Sequence, residues 1–307
     1  MERLVVIDTD AGVDDASAIF LVLAAHKNSA ANLKIVGITC VNGNTNLDNV
    51  CKNVTRILNT SDANEIPIFR GSETGMVVPY ERGPSYHGSD GFGDANLPII
   101  EAEIKEENAI LALIRLAKTF SGQLSILALG PLTNIALAAR LDPSFSKHIK
   151  EICLMGGNTQ PVADPTFNFK ADPEAAYVTL SCFPCPITVV PYETCKRQNL
   201  KEFRVKELAS LSSPEILLLN QIEGDGLKKD VWSPCDLLTA AIFIDPKLIS
   251  DSRKLLVSAD LVGYRGQMII NLSHPRTNVT VVDDIDVELY EQMLYWGFGG
   301  ILKDCIS

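Results

Sequence analysis

Four carboxylates fall within eight residues near the start of the chain, Asp8-Thr9-Asp10-Ala11-Gly12-Val13-Asp14-Asp15. Alternation along an extended segment puts Asp8 and Asp10 on the same side. Gly12 permits a tight turn that returns Asp14 and Asp15 toward them as a helix begins. Two carboxylates about 4 Å apart repel by roughly 1 kcal/mol in water and about 4 kcal/mol at an effective dielectric near 20. No Lys or Arg occurs between Leu4 and His26 to offset this. A hard divalent cation, Ca²⁺ or Mg²⁺, is the partner that oxygen-only donors select. In the plainer alternative, Asp14 and Asp15 complement a helix N-terminal dipole while Asp8 and Asp10 face water.

Elements able to hold such a cluster are legible around it. Apolar, often β-branched runs predict strands at Leu4–Asp8, Ile35–Val41, Ile66–Phe69, Leu124–Leu129, Ile149–Leu154 and Ile187–Pro191. Between them, helices are expected at Asp14–His26, Leu47–Leu58, Glu106–Phe120, Thr133–Arg140 and Pro173–Cys182, with another at Leu237–Phe243. In the first helix Ile19, Phe20, Leu23 and Ala24 recur at helical spacing and imply one apolar face. Strand and helix alternating in this way specify an α/β fold with a mostly parallel sheet flanked by helices. No repeat or long linker divides the chain, so one domain over residues 1–307 is expected. Three irregular stretches, Arg70–Pro98, Gly156–Asn168 and Ser213–Trp232, are candidates for site loops, the last as a flap.

The chain has 307 residues, 46% of them hydrophobic, and 27 Lys+Arg against 38 Asp+Glu leave a net charge of −11. Such a balance opposes nucleic-acid or anionic-membrane binding through bulk charge. No segment approaches the roughly 20 apolar residues of a membrane span, and the start lacks signal-peptide character. The eight scattered cysteines are expected to remain reduced thiols, and a cytoplasmic location follows as an expectation. Cys182-Phe183-Pro184-Cys185 has redox-like spacing without a thioredoxin-like context.

Ligands of parallel sheets bind outside the carboxyl ends of the strands, so the residues there carry most information. They include Val41-Asn42-Gly43-Asn44-Thr45 and Gly130-Pro131-Leu132-Thr133-Asn134, the latter leaving the Leu129 carbonyl at a strand tip. Met155-Gly156-Gly157 follows another strand, Asn168 precedes the helix start Asp172-Pro173-Glu174, and Asp236 opens the segment behind Pro234-Cys235. A strand ending in Asp-X-Asp also opens phosphohydrolases of the haloacid dehalogenase type, a rival class in which the first Asp is the nucleophile.

Taken in order, the acidic cluster, these strand ends and His87-Gly88-Ser89-Asp90-Gly91-Phe92-Gly93-Asp94 resemble the nucleoside hydrolase family of the inosine-uridine preferring type, end to end. The most specific element is Asp8-X-Asp10-X-Gly12-X-Asp14-Asp15, supported by Val41-X-Gly43-Asn44 and Phe167-Asn168. The resemblance implies Ca²⁺-dependent hydrolysis of ribonucleosides to ribose and free base, in the service of nucleoside metabolism and purine salvage, by a homodimer or homotetramer. It implies that Asp10, Asp15, the Leu129 carbonyl and Asp236 hold Ca²⁺ and that Asp10 is the general base. Asp14, Asn44 and Asn168 match ribose and water contacts, Met155 a sugar-pocket methionine, Asp8 a supporting residue and His87 a histidine near the base. Asp14, Asn44 and His87 thus join Asp10 as catalytic candidates.

Two positions depart from the family pattern. Thr166-Phe167-Asn168 stands where many relatives have Glu-Phe-Asn, which removes a carboxylate expected at the ribose 5′ hydroxyl and leaves Thr166 in its place; Asn158 is a candidate for the usual loop asparagine. Cys235 replaces the histidine that serves as leaving-group acid, so that role passes to His87, to stacking by Trp232 or Tyr86, or to water. These departures motivate a second hypothesis, a nucleoside- or ribose-binding protein of the same fold without turnover. The phosphohydrolase comes third, because Gly12-Val13-Asp14-Asp15 departs from its usual continuation.

Overall fold

The computed structural model describes residues 2–28, 31–79, 86–161, 164–224, 227, 230–272 and 274–301. Parts of the three irregular stretches, residues 80–85, 162–163, 225–226 and 228–229, lie outside the described residues. The chain runs β1 (Arg3–Thr9), α1 (Val13–Lys27), β2 (Leu33–Cys40), α2 (Leu47–Thr60), β3 (Ile68–Arg70), α3 (Ala109–Thr119), β4 (Leu124–Ala128) and α4 (Thr133–Leu141). It continues through α5 (Phe145–His148), β5 (Ile149–Met155), α6 (Phe167–Ala171), α7 (Pro173–Cys182), β6 (Ile187–Val190), α8 (Tyr192–Arg197), α9 (Lys201–Lys206) and α10 (Pro214–Glu223). The last elements are α11 (Cys235–Ile244), β7 (Ile249–Ala259), β8 (Met268–Asn271), β9 (Val279–Ile285) and α12 (Val287–Gly297).

The strands form one nine-stranded sheet in the order β3-β2-β1-β4-β5-β6-β9-β7-β8. From β3 to β9 every pairing is parallel, whereas β7 pairs antiparallel with both β9 and β8. Succession from β1 runs outward to β3, then returns to β4 on the other side of β1 and proceeds to β6. The reversal between β1 and β4 opens a crevice at their carboxyl ends, where an open α/β sheet binds its ligand. β1 carries the acidic cluster directly into that crevice.

Central strands are buried on both faces, and all five residues of β4 are enclosed, which is why they read as apolar runs rather than alternating ones. The single apolar face expected for α1 is corrected: residues 15–23 and Ala25 are all buried and Ala24 is half-buried. α1 lies under α11, a second almost wholly apolar helix, and is covered by α2, α10 and α12 as well. β7, β8, β9 and α12 have no counterpart in the sequence reading. After half-buried Ile249, β7 carries five consecutive exposed residues, 250–254, and alternates only afterwards, so its period-two signal is short.

Candidate active site

Asp8 and Asp10 are completely enclosed, Asp15 and Asp236 are buried, and Asp14 is half-buried, so the water-facing alternative for the first two is not realised. β1 delivers Asp8, whose Oδ1 accepts from Thr39 Oγ1 and from Asn134 Nδ2 at 2.8 Å. Burial pushes the Asp8 carboxyl up to about 7 against these two hydrogen bonds. The bend after Asp10 is carried by Ala11, at φ +40°, while Gly12 is extended. Gly12 is required for room instead: a Cβ there would lie 2.5 Å from Asn44 Nδ2 and 2.8 Å from His87 Nδ1. Gly43 is needed in the same way, since its Cβ would fall 2.0 Å from Asp10 Oδ2.

Asp10 Oδ2 accepts the Asn44 backbone N–H at 2.8 Å. Asp15, in the first turn of α1, accepts from Thr9 Oγ1, from the Gly12 N–H at 2.9 Å and from Asn44 Nδ2 at 3.1 Å. Asn44 therefore bridges two acids from a second strand end. Asp236 sits in the first turn of α11, opposite them. Oxygen atoms of Asp14, Asp15 and Asp236 all lie within 4.8 Å of one another. That trio includes Asp14, whereas the sequence reading grouped Asp10 with Asp15 and Asp236. Asp10 stays within the same field: burial, then Asp15, raises its carboxyl well above the ordinary range, and burial with Asp14, Asp15 and Asp10 does the same to Asp236. Burial and Asp14 likewise raise Asp15.

Among the described residues no Lys or Arg pairs with these five acids. Asp8 Oδ2, Asp10 Oδ1 and Asp14 Oδ1 are buried without a hydrogen-bond partner. Unpaired buried carboxylate oxygens are expensive unless a cation meets them. An oxygen-only, strongly acidic donor set therefore fits a hard divalent metal ion. The Leu129 carbonyl borders the same cavity and accepts Asn168 Nδ2 at 2.6 Å, and the Asn168 amide also donates to the Met155 carbonyl at 3.1 Å. Asn168 is thus fixed across the ends of β4 and β5.

Above the acids opens a cavity of about 1120 Å³, bordered by Asp14, Asn44, His87, Met155, Thr166, Asn168, Trp232 and Asp236, among others. His87 Nδ1 accepts the Val13 N–H at 3.0 Å, which assigns the ring proton to Nε2, 3.8 Å from Asp14 Oδ1. Tyr86 meets the His87 ring edge-on, with centroids 5.0 Å apart. On the far wall Thr166 is sealed into the loop: its Oγ1 accepts the Gly157 N–H and its N–H donates to Asn158 Oδ1, both at 2.8 Å. Cys235 Sγ points to the Ser233 carbonyl at 3.7 Å, and a hydrogen bond with Cys195 together with burial pushes its thiol well up.

Two acids on the cavity wall escaped the sequence reading. Glu193 accepts the N–H groups of Thr159 at 2.9 Å and Gln160 at 3.2 Å, closing the loop that carries Asn158. Its position just past β6 was a usable signal, by the same strand-end rule that located the others. Glu223 closes α10 inside the stretch expected as a flap, but nothing local marks its role, because the partners that orient it come from α9 and from the far end of that stretch.

A nine-stranded α/β sheet with a metal-ready carboxylate cluster at its switch point, facing a large cavity, defines a hydrolase-like small-molecule site. The model of the family described as "Inosine-uridine preferring nucleoside hydrolase" matches residues 5–292, and the chain belongs to that family. It is 36% identical over 183 residues to the probable uridine nucleosidase 1 of Oryza sativa subsp. japonica, a match covering 57% of this chain and 54% of that protein. Across the first of these curated relatives, then, the match spans only about half of their length. Identity to the inosine-uridine preferring nucleoside hydrolase of Leishmania major is 28% over 309 residues, with 93% of this chain and 95% of that protein covered. A solved inosine-guanosine nucleoside hydrolase superposes with a TM-score of 0.87 at 26% identity, covering 98% of this chain and all of that one. Family membership displaces the phosphohydrolase alternative. Among the described residues no helix is long and apolar enough to cross a membrane.

Proposed function

We propose that the chain, acting as one domain, is a Ca²⁺-dependent ribonucleoside hydrolase that cleaves the N-glycosidic bond to give ribose and free base. The observation that carries this reading is the set of acids without a Lys or Arg partner beneath the cavity, two of them bridged by Asn44, with the Leu129 carbonyl held beside them by Asn168. Asp10, Asp14, Asp15, Asp236 and the Leu129 carbonyl would hold the ion. When bound, Ca²⁺ supplies charge that acidifies water and grips vicinal hydroxyls.

Asp10 is suited to take a proton from water, because its Oδ2 is fixed by Asn44 while its Oδ1 is buried without another donor. Asp14, Asn44 and Asn168 present carboxylate and amide groups to sugar hydroxyls. Glycoside cleavage passes through an oxocarbenium-like state, which an acid-lined floor stabilises. His87 directs its Nε2 proton into the cavity, and the Trp232 indole forms an apolar wall on which a base can stack. Cytoplasmic residence and assembly as a homodimer or homotetramer belong to the same reading.

Release of free ribose from inosine, uridine, adenosine and cytidine, with and without chelator, tests it. Release that chelation abolishes supports the hydrolase and ranks its bases. Ca²⁺-dependent ribose binding without turnover supports instead the binding protein motivated by Thr166 and Cys235.

A further inference from the structure

Arg204 is among the largest side chains in the protein at 0% exposure, and it lies outside the acidic floor. It pairs with Glu223 at 2.7 Å and donates to Asn220 Oδ1 at 2.7 Å. Glu223 Oε1, on its other side, accepts the Trp232 indole N–H at 3.1 Å. The Trp232 backbone is held as well: its N–H donates to Asn199 Oδ1 at 3.0 Å and its carbonyl accepts the Leu200 N–H at 3.1 Å. Both ends of this tryptophan are thus fixed, by the residues just before α9 and by the end of α10, and it borders the cavity.

The same end of α10 supports the opposite wall. Gly93, at φ +69°, packs on the Ile222 carbonyl so closely that a Cβ would lie 2.2 Å from it. Its N–H donates to the His87 carbonyl at 2.7 Å. The end of α10 therefore backs both Trp232, through Glu223, and the loop that carries His87, through Ile222.

We propose that Arg204, acting through Glu223, is a positioning residue that sets the Trp232 indole against the leaving base. Packing alone gives no reason for this pair. A buried ion pair is usually matched or exceeded in stability by apolar residues of similar size, and its best-attested use is to fix one arrangement among several. Here the arrangement fixed is an indole whose N–H would otherwise rotate to seek another acceptor. The inference rests on the nucleosidase reading for what the indole touches, but not for how the indole is held.

The test uses the full chain carrying Arg204→Met and Glu223→Leu together, which removes both charges of the pair. Substrates are uridine or inosine, whose base needs assistance to depart, and p-nitrophenyl β-D-riboside, whose leaving group needs little. The expected result is an unchanged or raised Tm, a fall of about tenfold or more in kcat/KM for the nucleoside, and a change within about threefold for the activated riboside. Loss of both activities in parallel, or of neither, overturns the proposal.

With Trp296→Phe as background, Trp232 is the sole tryptophan, and its fluorescence gains quencher access when the pair is removed. Unchanged emission and quenching overturn the proposal whatever the turnover. Should the double variant fail to fold, Glu223→Gln, which keeps an oxygen for the indole, is expected to lose less than tenfold on the nucleoside, with the same substrate split deciding. If the unaltered protein cleaves neither substrate, the nucleosidase reading fails, and the fluorescence result still decides whether the ion pair holds Trp232.

Discussion

The floor of the cavity and its walls are built on opposite terms. The floor comes from the tip of β1, the first turns of α1 and α11 and two adjoining loops, with Asp10 and Asp15 bridged by Asn44 and the Leu129 carbonyl held by Asn168. Its walls come from segments far apart in sequence, the loop after β5, α8, α10 and the stretch before α11, and they are joined by a few side-chain hydrogen bonds through Glu193 and Glu223. Charge dominates the floor, where carboxylates outnumber any partner, so changes there act on chemistry and metal affinity. Geometry dominates the walls, so changes there act on which substrate fits.

The sharpest break in that comparison is Asp10→Asn. Removing a general base typically costs 10²–10⁴-fold, and turnover is expected to fall about 10³-fold while the fold persists, because Asn keeps an oxygen for the Asn44 N–H. Ribose release and a melting curve check both halves. Undiminished turnover would remove Asp10 from its role.

Next in size is the response of the floor to pH and Ca²⁺. Asp8 is pushed up to about 7 from 3.8, so between those values the folded state binds more protons than the unfolded one. Without Ca²⁺, the Asp8 contribution to stability is therefore fully present below about pH 4 and is lost as pH rises through about 7, by up to about 4 kcal/mol. Saturating Ca²⁺ at about 100 times its Kd adds about 2.7 kcal/mol at neutral pH. Asp236→Asn should erase that gain and stabilise the Ca²⁺-free protein by lifting its repulsion with Asp14 and Asp15. Melting curves from pH 4 to 8, with and without Ca²⁺, read all three, and a pH-independent Tm in chelator would contradict the acidic floor.

Walls respond more weakly. Glu193→Gln retains an oxygen for one loop N–H but loses the charge that holds Thr159 and Gln160 together. A hydrogen bond to a charged group contributes roughly 1.5–3 kcal/mol, so KM for nucleosides is expected to rise about tenfold or more with kcat little changed. A matching fall in kcat would move Glu193 to the chemistry.

That same contrast explains what could be read from sequence. Four of the floor's acids were legible because they fall within eight residues after an apolar strand, so the strand period and the absence of nearby cations sufficed, whereas Asp236 was reached only through the family resemblance. Asn44, Leu129 and Asn168 were reachable because parallel strands end together. Trp232 and Thr166 could be pointed to but not placed, since only tertiary contacts with Glu223 and Asn158 orient them. Arg204 and Glu223 lie 19 residues apart on different helices, and nothing local marks a buried pair. β7 failed for the reverse reason: its exposed antiparallel rim resembles a loop in composition.

The smallest expected effect is at Cys235, where wall and floor meet beside Asp236. A leaving-group acid must release its proton readily near neutral pH. Here the Cys195 hydrogen bond and burial push the thiol well up, and its Sγ already faces the Ser233 carbonyl. Cys235→Ser preserves size and a donor for that carbonyl, so kcat on inosine or uridine is expected to stay within about threefold, under about 0.7 kcal/mol of barrier. A tenfold loss confined to the nucleosides, and absent with an activated riboside, would instead make the thiol the proton source. The wall would then carry chemistry after all, and its division from the floor would fall at Cys235.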